Sequence, residues 1–202
     1  MIEQIEKTPL YEIVYEKLKA GILDGDFRPQ ERLNQAVLAE QLGVSRMPIR
    51  DALRQLEYDN LVENQPEKGY VVATFSQEKV NDIMTVRQIL EPRAVIMAME
   101  NVTAEDIRKL ETILSGSWEA LEQEDWKTVV ALNHEFHFTI YNKACSPLLS
   151  EIILKLWQSF PKYLVHEHSR RSSLMAHQRI LDYMKQNNYV AAAAEMEKHI
   201  HT

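Results

Sequence analysis

The stretch LAEQLGVSRMPIRDALRQLEYDNLVENQPEKGYVV, residues 38–72, decides how the chain folds. Two short helical patterns meet in it, NQAVLAEQLG (34–43) and SRMPIRDALRQLEYDN (45–60), with Gly43 between them. Helix, glycine, short turn and second helix is the spacing by which a helix is presented to a DNA major groove. Gly43 suits the left-handed residue that closes a helix, and Ser45 is placed to cap the next one. Val44, Ile49, Leu53 and Leu56 form a core-facing stripe. Ser45, Arg46, Met47 and Arg50 occupy the first turns of the same helix, the part that reaches base edges. Arginine there suits bidentate contact with guanine, at about 1–3 kcal/mol of discrimination per good pair. Beyond it, Val62 and Tyr70 to Val72 read as two short strands around a turn at Pro66 to Gly69. Lys68 and Gly69 sit at the hairpin tip, within reach of the adjacent minor groove or backbone. Arginines at spacing four also describe an ordinary solvated helix face; the turn before them and the hairpin after them favour nucleic acid.

Working outward, TPLYEIVYEKLKAGILDGDF (8–27) has Leu10, Ile13, Val14, Leu18, Ile22 and Leu23 at helical spacing, with Thr8 as a cap and Gly25 near the stop. A short linker containing Arg28-Pro29 follows. From Ser76 onward the strand signal disappears. SQEKVNDIMTVRQILEPRAVIMAMENV (76–102) predicts one long amphipathic helix, with Val80, Ile83, Met84, Val86, Ile89 and Leu90 near its buried face. Further helical stretches are expected over 103–123, 126–144, 147–167, 170–187 and 189–201, the last cut short at His199-Ile200-His201-Thr202. The fold class is therefore mainly α: a winged helix-turn-helix of three helices and a two-stranded wing, then an all-α antiparallel bundle. The boundary falls near 74–77, giving a DNA-binding domain over 1–75 and a helical domain over 76–202.

The bulk numbers agree with a helical globular protein. Of 202 residues, 45% are hydrophobic and 26% charged, with only 5 glycines and 7 prolines. No apolar run approaches the roughly 18–20 residues that cross a bilayer, and MIEQIEKTPLYEI lacks the layout of a secretion signal. The single cysteine, Cys145, excludes an internal disulfide and is expected as a small packed hydrophobe. A cytoplasmic protein with no membrane partner is the expectation. The formal net charge of −7 argues at first against DNA. Distribution decides, however: residues 1–75 hold 9 Lys and Arg against 13 Asp and Glu, yet Val44 to Arg54 carries three arginines against Asp51 alone.

Residues 38–72 resemble the winged-helix signature of the GntR regulators. The remainder resembles the ligand-sensing bundle of their FadR-like branch, the FCD domain, through VRQILEPRAV (86–95), LNHEFHFTIYNKACSPLL (132–149) and AHQRILDYM (176–184). This resemblance covers nearly the whole chain. It implies a homodimer, a pseudo-palindromic double-stranded operator and a DNA affinity released or tightened by a metabolite, in a repressor or an activator. Family contacts to bases and phosphates fall on Ser45, Arg46, Met47, Arg50 and Gly69. Met47 replaces the usual threonine, and Ala36 stands where the fatty-acid-responsive branch has arginine.

All seven histidines, His134, His137, His166, His168, His177, His199 and His201, lie in the bundle half. Asn133 and His137 share an apolar stripe with Val129, Leu132, Phe136 and Ile140; His177 heads one with Ile180, Leu181 and Met184; His199 follows Ala192 and Met196. Three imidazoles from three helices thus face the interior, where bundles build metal sites, although each singly reads more readily as a hydrogen-bonded core residue. The resemblance implies a divalent metal held by one Asp and three His. His137, His177 and His199 match the histidines, and Asn133 stands in the Asp position. Zinc or nickel would suit imidazole ligands and leave positions open for a small carboxylate effector. Arg87 resembles an arginine lining the effector pocket, where it would pair with that carboxylate; it reads equally as a helix-surface charge. Trp118, Trp126 and Trp157 are expected as core or dimer contacts. An enzyme is not expected, because no activated nucleophile, phosphate loop or carboxylate pair accompanies the histidines. A module whose winged helix grips a protein is the other alternative.

Overall fold

A computed structural model describes residues 9–74, 76–159 and 167–200, with the side chains of 167–169 left aside. Thr8, His166 and His201 lie outside the described residues, and His168 is described in backbone only. Chain packing separates an N-terminal unit, through Gln77, from a C-terminal unit that begins at Glu78.

The N-terminal unit contains α1 (Leu10–Asp24), α2 (Gln35–Leu42), α3 (Arg46–Tyr58), β1 (Val62–Gln65) and β2 (Gly69–Val72). Asn34 starts α2, its side-chain oxygen accepting the Ala36 N–H at 2.9 Å. Gly43, at φ 66°, closes α2 by returning its N–H to the carbonyls of Ala39 and Glu40. Ser45 does hold the position before α3, but its side chain makes no capping bond. The third residue of α3 is Pro48, which has no N–H to give, so one of the usual donors to a capping hydroxyl is missing. Ile49, Ala52, Leu53 and Leu56 are completely buried against Val14, Leu18, Ile22 and Leu38. Each large aliphatic buried there contributes about 1.5–3 kcal/mol. Val44 is only half-buried. Leu10 and Ile13 keep the helical spacing but remain 50% and 44% exposed. The Tyr15 hydroxyl donates to Asp59 at 2.6 Å, tying α1 to the end of α3.

β1 and β2 pair antiparallel with Val62 opposite Val72 and Gln65 opposite Gly69. Gly69 lies at φ +74°, where a side chain would be strained although space is open around it. The segment after the Arg28-Pro29 linker was not foreseen as sheet. It runs along β2, with Arg32 bridging Val71, Gln30 N–H donating to Val72 and Leu33 N–H to Tyr70.

The C-terminal unit contains α4 (Gln77–Ala98), α5 (Ala104–Glu122), α6 (Trp126–Tyr141), α7 (Pro147–Gln158), α8 (Glu167–Lys185) and α9 (Tyr189–Ile200). Its core gathers Leu110, Phe136, Ile140, Tyr141, Ile153, Ile180, Leu181 and Met196. Several boundaries differ from the sequence pattern. α4 stops at Ala98 rather than 102, because Thr103 and Asp106 form a reciprocal capping box that starts α5. α6 gives way to a 3-10 turn, Asn142–Ala144. The stretch expected as one helix over 147–167 ends at Gln158, and Glu167 already belongs to α8. Cys145 is exposed at φ 50°, in a loop position that turns it out of the core, so it is no packed hydrophobe. The buried face of α4 is also rotated from expectation. Ile83, Arg87, Glu91, Ala94, Val95 and Ala98 point inward, whereas Ile89 is 66% exposed. Val80, Met84, Val86 and Leu90 are half-buried. No helix among the described residues is long and apolar enough to cross a membrane.

Candidate functional site

The first turn of α3 faces outward. Ser45, Arg46 and Arg50 are exposed, and Met47 is 64% exposed. Among the described residues Arg50 meets only Asp51, at a loose 3.9 Å. With the Ser45 hydroxyl not spent on capping, the helix offers its first N–H groups, a hydroxyl and two guanidinium groups on one end, a donor set suited to phosphate and base edges. Burial pushes the Tyr70 hydroxyl above its usual range, with Glu57 adding to the rise and Arg54 opposing it. Lys68 projects from the hairpin tip beside Gly69.

In the bundle, α6, α8 and α9 bring His137, His177 and His199 together. Their Nε2 atoms form a nearly equilateral triangle: 3.0 Å between His137 and His177, 3.2 Å between His137 and His199, and 3.1 Å between His177 and His199. His137 and His177 are buried and His199 is half-buried. Nitrogen ligands each about 2.0–2.1 Å from one ion stand roughly 3.0–3.4 Å apart, so the triangle fits ligands of a single metal. Burial, reinforced by the neighbouring imidazoles and by Arg87, pushes the His137 pKa well below its usual value. Burial and then His199 do the same to His177. Burial, Arg87 and Arg179 bring His199 down to about 4. Three neutral imidazoles present lone pairs, the form that metals require. Asn133 lies one turn before His137 on α6, half-buried.

A second layer surrounds the triangle. The Nδ1 of His137 is 2.7 Å from the Tyr141 hydroxyl, which donates to Glu91 Oε2 at 2.5 Å. Glu91 is fully buried, and its Oε1 accepts from Arg87 Nε at 2.6 Å and from Trp157 Nε1 at 2.8 Å. Arg87 also lies over the Trp157 ring, 4.5 Å from its centroid.

The comparisons with known proteins bear on the family and the fold. The model for bacterial regulatory proteins of the gntR family matches residues 10–72, and that for the FCD domain matches 82–202. The chain belongs to the GntR family and carries an FCD domain. The Bacillus subtilis (strain 168) protein named as the uncharacterized HTH-type transcriptional regulator YdhC is 30% identical over 95% of this chain and 88% of its own. The HTH-type transcriptional regulator McbR of Escherichia coli (strain K12) is 34% identical over 69% of this chain and 63% of its own. A solved structure described as E. coli McbR/YncC superimposes with a TM-score of 0.82 at 27% identity, covering 96% of this chain and 95% of that one. This GntR chain is thus a transcription regulator of the FCD type, and its relatives are regulators rather than enzymes.

In this GntR fold the sequence-derived residues divide cleanly. Ser45, Arg46, Met47 and Arg50 share one exposed helix end, with Lys68 and Gly69 on the wing. His137, His177 and His199 converge as expected, and Arg87 is buried close enough to depress two of them. Sequence reasoning missed Glu91, Tyr141 and the tie to Trp157. The signal for Glu91 was present as Arg87 and Glu91 one helical turn apart; nothing local pointed to Tyr141. The tryptophans are half-buried, and each faces an arginine: Arg171 at Trp118, Arg170 at Trp126 and Arg87 at Trp157.

Proposed function

We propose that this regulator works in the cytoplasm as a homodimer on a pseudo-palindromic operator, its DNA affinity set by a small carboxylate held in the bundle. Residues 1–75 form the DNA-binding domain, and residues 76–202 bind the effector and dimerise. Ser45, Arg46, Met47 and Arg50 read the major groove, while Lys68 and Gly69 meet the backbone or minor groove beside it. One short reading helix covers few base pairs, so two copies are needed for useful specificity.

The observation that carries the sensing half is the triangle of Nε2 atoms beside a buried arginine. His137, His177 and His199 hold a divalent ion, zinc or nickel, with the Asn133 amide oxygen as a neutral fourth ligand. None of these ligands carries negative charge, and Arg87 is balanced by Glu91. An anion is therefore the ligand that completes the charge, and bound metal would supply Lewis-acid attraction for its oxygen. Arg87 would face a second oxygen of the same carboxylate. Effector binding then shifts the regulator by as much as it prefers one arrangement over another.

The test is operator binding by fluorescence anisotropy with the chain's own promoter, in chelator, in Zn²⁺ or Ni²⁺, and with a panel of small carboxylates. Metal analysis of untagged protein accompanies it. The parent should hold about one ion per chain and respond to one carboxylate class, and the paired variant His137→Ala/His177→Ala should lose both. Substoichiometric metal in the parent, with the effector response intact in the variant, would replace the metal centre with a metal-free pocket.

A further inference from the structure

Tyr141 is the bulkiest fully buried side chain among the described residues, and its hydroxyl stands between an imidazole and a carboxylate. A tyrosine hydroxyl has one proton to give. Glu91 Oε2 at 2.5 Å is an anionic acceptor, whereas the Met196 sulfur at 3.4 Å is a weak one. The proton therefore goes to Glu91, and the hydroxyl oxygen is left with lone pairs facing His137 Nδ1 at 2.7 Å. Only an N–H satisfies that contact. A neutral imidazole has a single N–H, so His137 carries it on Nδ1 and turns a bare Nε2 lone pair toward the other two histidines. Glu91 cannot swing away, because Arg87 and Trp157 hold its other oxygen.

We propose that Glu91 and Tyr141 are positioning residues of the metal centre, a carboxylate–hydroxyl relay from α4 to α6 that locks His137 in its metal-binding tautomer. The proposal rests on the reading of the three histidines as ligands of a divalent ion. Without the relay, the His137 proton can move to Nε2 and bond to His177 or His199, 3.0 and 3.2 Å away, closing the triangle on itself. Outer partners of this kind govern ligand orientation and basicity at metal sites.

Tyr141→Phe removes only the hydroxyl; Ile140→Val, a trim of the neighbouring buried residue, controls for altered packing. The full chain is titrated with Zn²⁺ alone against a chromophoric chelator, and long-range ¹H–¹⁵N NMR of the metal-free chain reports the histidine tautomers. Tyr141→Phe should bind Zn²⁺ about tenfold to a hundredfold more weakly than the parent, with Ile140→Val within about twofold. His137 should show Nδ1–H in the parent and lose that preference in Tyr141→Phe. Equal Zn²⁺ affinity in Tyr141→Phe and the parent would overturn the relay, as would Nε2–H at His137 in the parent. If the parent itself takes up no Zn²⁺, the metal reading is what fails. The parent's tautomer spectrum, which needs no variant to fold, then decides the lock alone: Nδ1–H supports it and Nε2–H overturns it.

Discussion

Arg50 and Arg87 carry the same guanidinium group into opposite circumstances. The Arg50 side chain is 50% exposed and, among the described residues, pairs only with Asp51, at 3.9 Å. That of Arg87 is 11% exposed, bonded to Glu91 at 2.6 Å and laid over Trp157. An exposed ion pair of the first kind is worth little, which leaves the arginine available to an outside anion. A buried charge must bring its counter-ion with it, and removing that partner strands it. The N-terminal unit therefore keeps its polar chemistry outside and uncommitted, for a large charged ligand that approaches from solvent. The C-terminal unit keeps its polar chemistry inside and bonded, where a small ligand has to be matched group by group.

The largest effect expected from this contrast is on stability. Glu91→Ala strands Arg87 and takes the acceptor from Tyr141 and Trp157, and should destabilise by about 3–5 kcal/mol in urea unfolding. Arg50→Ala should stay within about 0.5 kcal/mol of the parent in the same assay. Equal losses in the two variants would break the comparison.

Glu91 also shows where the sequence stops being legible. The helix α3 could be found because its signals are local: Gly43 needs a left-handed turn, and Ile49, Leu53 and Leu56 repeat at helical spacing. The histidine triangle was legible because each imidazole lies on an apolar stripe of its own helix: His137 within one, His177 at the head of one and His199 at the end of one. Periodicity failed on α4, where Ile89 was expected inside and is exposed, while Arg87 and Glu91 are buried. Hydrophobic spacing cannot foresee a charge made soluble in the core by partners far along the chain, and Glu91 depends on Tyr141 and Trp157, 50 and 66 residues away. The Ser45 cap failed for a local reason that could have been read, since Pro48 removes the N–H. Sheet pairing of residues 30–33 depends on β2 and leaves no mark in the linker itself.

The middle-sized effects lie on DNA. Arg50→Ala should weaken operator binding by about 1–3 kcal/mol and relax base preference, because the side chain is free for a base edge. Lys68→Ala should instead weaken operator and random DNA alike and lower the salt slope by about 1. Anisotropy titrations of both sequences at several salt concentrations separate the two. An Arg50→Ala variant with unchanged preference for operator over random DNA would move the reading surface off the start of α3.

The smallest expected effect sharpens the comparison at its midpoint, where Asp106 pairs with Lys143 at 2.8 Å, their side chains 14% and 34% exposed. Burial alone would raise the Asp106 pKa. Hydrogen bonds from Lys143, from the Thr103 hydroxyl and from the Thr103 N–H outweigh it and bring the value to about 2, from an ordinary 3.8. A carboxylate whose folded pKa is depressed contributes stability above its unfolded pKa, and that contribution fades as pH falls through the folded value. Here the window runs from about 4 down to about 2. Asp106→Asn keeps the shape of the capping box but loses the charge, at a cost of about 1 kcal/mol or less near neutral pH. Urea midpoints of parent and variant should differ by a constant amount from pH 7 to pH 5 and draw together as the pH is lowered below about 4. A gap that stays constant on acidification would mean that the charge of Asp106 is not what separates parent from variant, and that the partly buried pair contributes as little as the exposed one at Arg50.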